Sequence, residues 1–290
     1  MTIAIERISG VKTQLGEGPV WDVTEKALYW IDGHVPAIYR LDPKTNEIRS
    51  WKVPKQIGSF ALREKGGAIC AMTDGFYFFD FASGDATPVP NGIVAQPGTN
   101  FNDGKTDARG RFIAGTLDAK FANPIGSVYS LDSSLKCSVL EPAIGCTNGP
   151  CFSPNNRTFY CADSVSRMIS AYDYDLATGT VSNKRLFAEI KGLGGVPDGA
   201  TVDAEGNLWS AIAGGGKIVC FKPDGSIART VEVPVPIITS VMFGGDNLDV
   251  MYATSIGEKI LGMEPGAEGG SLFAIKGLDV KGKPEPRFAG

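Results

Sequence analysis

Histidine is nearly absent from this sequence, and its scarcity limits the chemistry that the chain can perform. The 290 residues contain a single histidine, His34. A zinc site built from several histidines is therefore excluded, and any Ser-His-Asp or Cys-His mechanism would have to use His34 itself. The sequence also lacks the G-x-S-x-G segment that carries the nucleophile of many serine hydrolases. Since His34 stands between the strand-like segments "ALYWID" and "AIYRLD", we expect it in a hairpin loop.

An excess of basic residues and a long apolar run are missing as well. The chain has 28 Lys and Arg against 32 Asp and Glu, a net charge of −4, whereas nucleic-acid-binding domains present a basic stripe. No segment approaches the roughly 18 apolar residues of a membrane-spanning helix. The opening "MTIAIERISG" has neither the basic nor the apolar region of a secretory signal. We therefore expect a cytoplasmic protein that binds neither nucleic acid nor membrane.

Closely paired cysteines are the third absence. The six cysteines form no C-x-x-C pair, which argues against a disulfide framework or a cysteine zinc site and predicts reduced thiols. They are Cys70, Cys137, Cys146, Cys151, Cys161 and Cys220. Cys146 and Cys151 flank a turn that is important below, but no cysteine occupies a position where we expect chemistry. We predict that none is needed for activity.

Glycine and proline, in contrast, are plentiful and dispersed, at 37 and 18 residues, which predicts many turns between short strands. Six segments repeat one pattern: a short strand, a polar turn rich in Gly, Asn or Asp, and a second strand. Their first residues are Glu17, Ser59, Asn102, Asn148, Asp198 and Ser240. A period of about 40 to 50 residues made of short strands is typical of β-propeller blades.

The repeat predicts an all-β protein, a six-bladed β-propeller with four-stranded blades, in a single domain over residues 1–290. The first strand, "IAIERIS", is expected to pair with the late strand "SLFAIKG" and so complete the last blade. The segment "AGGGK", residues 213–217, lacks the spacing of a phosphate-binding loop and is interpreted as a hairpin turn.

Each of the six first residues has an oxygen atom in its side chain. In a propeller these side chains would meet at one mouth of the central channel. Carboxylates and amides gathered there would be costly to bury without a partner, and a divalent cation removes that cost. Glu17 and Asp198 would neutralise its charge, and Asn148 would add a carbonyl oxygen. Oxygen ligands favour calcium, magnesium or manganese, although zinc and iron(II) also accept carboxylates. Together with a carboxylate base, one such ion suits hydrolysis of an ester or a lactone.

Several longer segments carry a family resemblance over nearly the whole chain. "LGEGPVWD", "NDGKTDARGRFIAGT", "NGPCFS", "PDGATVDAEGNLW" and "TSVMFGG" resemble the family of senescence marker protein (regucalcin), gluconolactonase and luciferin-regenerating enzyme. The resemblance implies a six-bladed propeller with a single divalent metal in its channel. It also implies hydrolysis of sugar lactones to aldonic acids.

The family's functional residues fall on positions that the repeat had already identified. The resemblance implies that Glu17, Asn148 and Asp198 bind the metal and that Asp198 also acts as general base. It implies that Asn102 contacts substrate or water, with Asp103 as the second member of the same N-D-G motif.

Two departures from the family pattern concern the substrate. Sugar-lactonase members often carry Arg two residues before the motif asparagine, where this chain has Asn100. The stretch that contacts substrate in some members reads "GTLDAKFANP" here and contains Asp118. We therefore expect Asn100 and the loop from Asp118 to Pro124 to set substrate choice.

Three functions fit these observations. The first is a metal-dependent lactonase, and the second is a hydrolase of aryl esters or phosphotriesters on the same site. The third is a non-catalytic propeller that binds a metal or a small molecule for regulation. For the first we expect a small-molecule lactone as the partner, and a monomer or a weak homo-oligomer.

Overall fold

In a computed structural model of the chain, residues 2–8, 10–90, 93 and 95–290 are described. These residues form 24 β-strands, and no α-helix occurs among them. The described part of the chain consequently contains no helix that is long and apolar enough to cross a membrane.

The strands form six antiparallel sheets of four strands each. An all-β, six-bladed propeller with four-stranded blades is therefore confirmed as the fold class. Within a blade the strands follow the order of the chain, and only the last blade takes its outer strand from the chain's beginning. The chain divides into two compact units of three blades each, and the single domain over residues 1–290 stays a prediction.

The first unit comprises the chain up to Ser50 together with Ile190–Glu285. Its first blade contains β2 (Gly16–Asp22), β3 (Ala27–Asp32), β4 (Ala37–Asp42) and β5 (Glu47–Lys52). Its second contains β18 (Val196–Val202), β19 (Leu208–Ala213), β20 (Lys217–Phe221) and β21 (Ile227–Glu232). Its third contains β22 (Ile238–Gly244), β23 (Val250–Ser255), β24 (Leu272–Lys276) and β1 (Ala4–Ile8). Among the inner strands, β22 packs against both β2 and β18.

The second unit comprises Trp51–Glu189 and Pro286–Gly290. Its first blade contains β6 (Ile57–Leu62), β7 (Ala68–Met72), β8 (Gly75–Phe79) and β9 (Ala86–Pro88). Its second contains β10 (Thr99–Thr106), β11 (Phe112–Asp118), β12 (Gly126–Leu131) and β13 (Cys137–Ile144). Its third contains β14 (Thr147–Phe152), β15 (Thr158–Asp163), β16 (Met168–Asp175) and β17 (Thr180–Glu189). Here the inner strand β10 packs against both β6 and β14.

Two local expectations of the sequence are met. Strand β1 pairs with β24 in antiparallel register, from Ala4 opposite Lys276 to Ile8 opposite Leu272. The "AGGGK" segment is the turn between β19 and β20, because Ala213 ends the first strand and Lys217 begins the second. Its three glycines bring the chain round in a tight turn.

Burial follows the position of a strand within its blade. Strand β3 is buried at every residue, whereas the outer strand β5 contains only exposed and half-buried residues. Trp209 and Phe243 pack edge to face in the core of the first unit. Phe76, Phe101 and Phe112 form the corresponding aromatic cluster of the second unit. This packing holds the inner strands, which carry the candidate site.

Candidate active site

The three predicted metal ligands lie where the inner strands lose their regular pairing. Glu17 pairs with Ile31, but the next ladder pair on β2 is Val20 with Tyr29. Two residues of β2 thus face one residue of β3, which is a β-bulge. Such bulges bend a strand and re-aim its side chains, and they are frequent near active sites. Asn148 is placed in the same way, as the last paired residue before a bulge in β14.

Asn102 and Asp198 occupy a neighbouring position, inside the bulge itself. On β10 the register shifts between Phe101 and Gly104, and on β18 it shifts between Pro197 and Ala200. On β6 and β22 the shift ends at Ser59 and Ser240 respectively. Each of the six first residues of the repeat therefore lies at the bulge of its own inner strand. Two stand just before the bulge, two within it and two just after it.

The residue after Glu17 and the residue after Asn148 are glycines in the left-handed backbone region, each with φ of 52°. A side chain is disfavoured there, so glycine permits the bulge. The freed backbone amides bind carboxylates: Gly18 N donates to Glu17 Oε2 at 3.0 Å and Gly149 N donates to Asp103 Oδ2 at 2.9 Å. Bulge and carboxylate thereby hold each other in place.

The first unit contributes the two predicted acidic ligands. Glu17 on β2 is half-buried and Asp198 on β18 is buried, with 9% of its surface exposed. Both strands pack on β22. Ser240 of that strand lies so close to Gly199 that a side chain at Gly199 would clash with it. The glycine after Asp198 is thus needed for close packing of two inner strands.

The second unit brings Asn102 and Asn148 into direct contact. Asn102 Nδ2 donates to Asn148 Oδ1 at 3.0 Å and to the Thr147 carbonyl at 2.8 Å. Asn148 Nδ2 in turn donates to Ser164 Oγ at 2.8 Å. These bonds orient both amides, so that each has its carbonyl oxygen available for a further partner. Ser164, which holds Asn148, was missed by the sequence analysis because no motif marks it.

Asp103 braces two neighbouring inner strands. It is buried, its Oδ1 accepts from Gly104 N at 2.7 Å, and its Oδ2 accepts from Gly149 N on the adjacent strand β14. The carboxylate therefore positions the bulge that carries Asn148. Its expected contact with substrate stays a prediction.

Asp118 organises the loop that follows it. As the last residue of β11, it accepts backbone N–H bonds from Lys120 at 3.0 Å, Ala122 at 3.0 Å and Asn123 at 2.7 Å. The Lys120 and Asn123 bonds lower the pKa of the Asp118 carboxyl because they stabilise its charged form. Asn100 lies at the same end of this blade, opposite Leu117 in the ladder between β10 and β11. The direct substrate contacts expected of Asp118 and Asn100 are untested.

His34 lies in the predicted hairpin loop, between β3 and β4. Its Nδ1 contacts Glu258 Oε1, on the connection that follows β23. The backbone N–H of His34 donates to Asp32 Oδ1 at 3.0 Å, at the end of β3 where Ile31 pairs with Glu17. The single histidine therefore stands at the site end of its blade.

All six cysteines are free thiols, as expected, and Cys146 touches two of the predicted residues. Its sulfur lies 3.7 Å from Asn148 Nδ2 and 3.9 Å from Asn102 Nδ2. Cys146 is 3% exposed, so reagents have little access to it. Burial also raises the pKa of the half-buried Cys137 to about 11, which leaves that thiol mostly protonated at neutral pH.

We predict that Cys146→Ala retains turnover, because the sulfur offers the two amides only weak hydrogen bonds that are additional to their oxygen partners. Steady-state kinetics of this variant beside Cys137→Ala, with metal content measured in both, is the check. Loss of turnover in the Cys146 variant alone, with fold and metal retained, would show that the thiol takes part in the chemistry.

The donor chemistry of the predicted ligands fits a hard divalent cation. Glu17 and Asp198 offer carboxylate oxygens, and Asn148 offers a carbonyl whose direction is set by Ser164 and Asn102. Among residues 2–8, 10–90, 93 and 95–290, no group of three or more His, Cys, Asp or Glu side chains could hold a metal.

The chain is similar over most of its length to a family model and to curated proteins. Residues 15–257 match the model of the SMP-30/gluconolactonase/LRE-like region. Regucalcin of Xenopus laevis is 34% identical over 299 residues, which cover 100% of this chain and 99% of that protein. The 6-deoxy-6-sulfogluconolactonase of Pseudomonas putida is 35% identical over 280 residues, 95% of each chain.

Solved structures agree. A luciferin-regenerating enzyme superposes with a TM-score of 0.91 at 28% identity and covers 100% of both chains. A calcium-binding protein, regucalcin from Agrobacterium tumefaciens, superposes with a TM-score of 0.90 at 26% identity, over 99% of this chain and 98% of that one. From the family match over most of its length and from relatives above 30% identity over nearly all of it, this chain belongs to the SMP-30/gluconolactonase/LRE-like family.

Proposed function

We propose that this protein is a metal-dependent lactonase that opens a sugar lactone or a related lactone to the hydroxy acid. The observation that carries the proposal is the inner-strand bulge found at each of Glu17, Asn148 and Asp198, the residues that we propose as ligands and base. The relative named 6-deoxy-6-sulfogluconolactonase supports the reaction class.

In this proposal Glu17, Asn148 and Asp198 hold one divalent ion, and the charge of the two carboxylates balances that of the ion. The ion would supply Lewis acidity toward the lactone carbonyl and toward water. Asp198 takes a proton from the attacking water as its oxygen bonds to the carbonyl carbon. The ring C–O bond then breaks, and Asp198 returns the proton to the departing ring oxygen, so the product is the free hydroxy acid.

Asn102 can act on a ligand only as an acceptor. Both hydrogens of its amide are already donated, to Asn148 Oδ1 and to the Thr147 carbonyl. Its own Oδ1 can therefore accept from water or from a substrate hydroxyl, which favours substrates with a hydroxyl near the reacting carbonyl. Asp103 and Asp118 shape the surrounding loops, and we propose that they meet substrate through that placement.

The bound ion is calcium in the simplest form of this proposal, because the relative from Agrobacterium tumefaciens is described as a calcium-binding protein. Zinc, magnesium, manganese and iron(II) are the other ions that we would test. The same description supports a second candidate function, a metal-binding regulatory propeller without catalysis. A cytoplasmic location, a monomer or weak homo-oligomer, and hydrolysis of other esters at this site remain proposals too.

A panel of lactones with a pH indicator tests the function directly. We expect acid release from at least one lactone, and we expect esters without a ring to be slower. Retained metal binding with no turnover of any lactone or ester would favour the regulatory candidate. Turnover of aryl esters or phosphotriesters in preference to lactones would instead point to a different hydrolase.

Asn100→Arg is predicted to change the preference among lactones without abolishing turnover. The substitution adds a guanidinium group beside the Asp118 loop. Its N–H groups favour substrates with oxygen atoms that can accept hydrogen bonds. We expect kcat/KM to rise for polyhydroxylated lactones relative to unsubstituted ones by about tenfold. Equal scaling of kcat/KM for all substrates would contradict a role for residue 100 in selection. Asn247→Arg, on the exposed turn between β22 and β23, is a control for added charge alone.

A further inference from the structure

One connection in the first unit is much longer than its equivalents. Residues 256–271 separate β23 from β24, whereas residues 33–36 separate β3 from β4 and residues 214–216 separate β19 from β20. Connections longer than about 12–15 residues without strands or helices are uncommon in compact proteins and are usually functional. We refer to residues 256–271 as the long connection.

The long connection is anchored along the chain segment that leads into Glu17. Gly257 N donates to the Gln14 carbonyl at 2.9 Å, and Thr13 N donates to the Gly270 carbonyl at 2.9 Å. The Lys12 ammonium donates to the Ala267 carbonyl at 2.8 Å. The contact of His34 with Glu258 adds an attachment to the first blade. Both ends are therefore fixed at the end of the blades where Glu17 lies.

Apolar side chains of the long connection pack in one cluster with residues that precede the two predicted carboxylates in the chain. Ile260 and Met263 lie against a buried cluster of Ala213, Ile237 and Ile256, and Leu15 and Val196 lie against the same cluster. Leu15 precedes Glu17 by two residues, and Val196 precedes Asp198 by two. The long connection thus packs on the two segments that lead into Glu17 and Asp198.

The tip of the long connection is a two-residue hairpin whose first residue is unusual. Ile260 and Met263 exchange backbone hydrogen bonds of 3.2 Å and 2.8 Å, and the residues between them, Leu261 and Gly262, have φ of 48° and 82°. A hairpin with positive φ at both central residues strongly prefers Asn-Gly or Asp-Gly. Leu261 has a side chain that disfavours this backbone, and it is 72% exposed. Neither turn geometry nor core packing explains a leucine here.

The same combination occurs in the second unit. The connection from residue 119 to residue 125 follows β11, and Asp118 holds it through three backbone bonds. Phe121 within it has φ of 52° and is 41% exposed. Each unit thus presents a bulky apolar side chain, in disfavoured backbone, from a connection at the end of the blade where site residues lie.

We propose that Leu261 is a specificity-determining residue that contacts a hydrocarbon substituent on the lactone ring. The substrate class is then a lactone with an alkyl or aryl group, rather than one substituted only with hydroxyls. This inference rests on the proposed lactonase function. Leu261 lowers the stability of the folded protein, because its apolar side chain is exposed and its backbone conformation is disfavoured. Contact with an apolar part of the substrate explains why leucine occupies the tip.

Leu261→Asn tests the inference without risk to the fold, because asparagine is the favoured residue at this turn position. We expect an equal or higher melting temperature and a loss of about tenfold in kcat/KM for γ-decalactone, with gluconolactone and γ-butyrolactone unchanged. Leu186→Asn is the matched control: Leu186 is 61% exposed but lies on the outer strand β17. It should leave all three rates unchanged.

The outcomes separate this inference from the function on which it rests. Wild-type protein that opens none of the three lactones would overturn both. Wild-type protein that opens gluconolactone but gains nothing from an alkyl substituent would overturn the inference alone. So would a Leu261→Asn variant that keeps its rate on γ-decalactone or that loses the same factor on all three lactones. A selective loss with retained stability supports it.

Discussion

Asp198→Asn is expected to lower kcat/KM by at least the roughly 10²–10⁴-fold that is typical of losing a general base, and by the same factor for every lactone. Asparagine keeps an oxygen of similar size in place, so the bulge of β18 and its packing on β22 should persist. What it removes is the negative charge and the ability to take a proton from water. The effect should be independent of the substrate because both roles concern water and the cation.

Asp224→Asn is the matched control for this prediction. Asp224 is in the same blade, on the exposed turn between β20 and β21, where its Oδ1 accepts from Ser226 N at 2.9 Å. Kinetics and melting temperatures of both variants should show a rate loss only at position 198 and near-normal stability in both. Near-normal rates for Asp198→Asn would show that another group is the base.

Removal of divalent metal is expected to abolish turnover, and addition of the native ion should restore it. The reason is that buried carboxylates and amides without a cation neither activate water nor orient a lactone carbonyl. Binding of an ion to the folded state alone also stabilises it, by about 2.7 kcal/mol when the free ion is at 100 times its dissociation constant. Chelation should consequently lower the melting temperature as well as the rate.

Glu17→Gln sharpens this second prediction because it removes one of the two balancing charges but keeps the ligand's shape. We expect weaker ion binding by calorimetry, and a rate that recovers partly at high ion concentration. Glu47→Gln, on the exposed outer strand β5 of the same blade, should bind the ion normally. Full activity in the presence of chelator, with no bound metal detected, would contradict a metal-dependent mechanism.

Much of the fold could be predicted because its signals are local. Turn residues at regular spacing predicted the blades, and strand composition predicted that β1 would join β24 at the far end of the chain. The glycine turn before Lys217 and the reduced state of the cysteines followed from residue types alone. Each of these depends on which residue occupies a position, and only weakly on its distant neighbours.

The roles of polar side chains were harder to predict from the sequence than the fold was. Asp103 and Asp118 were expected to meet substrate, and the structure shows both accepting backbone N–H bonds that shape their surroundings. Ser164 carries no motif and yet fixes the amide of Asn148. The sequence pattern around a loop aspartate is the same whether its carboxylate binds a ligand or accepts hydrogen bonds within a turn. The two roles differ only in the direction of the carboxylate oxygens.

By itself, the sequence determined the fold class, the number of blades and the positions that hold oxygen-bearing side chains, since periodic turns and alternating apolar residues record strand structure directly. Tertiary structure decided that Asn102 meets Asn148, that Asp103 reaches Gly149, and that the long connection carries Leu261 at the site end of the first unit. Those contacts join residues of different blades or distant segments. They depend on how neighbouring strands are offset and where bulges turn the side chains, which no local pattern specifies.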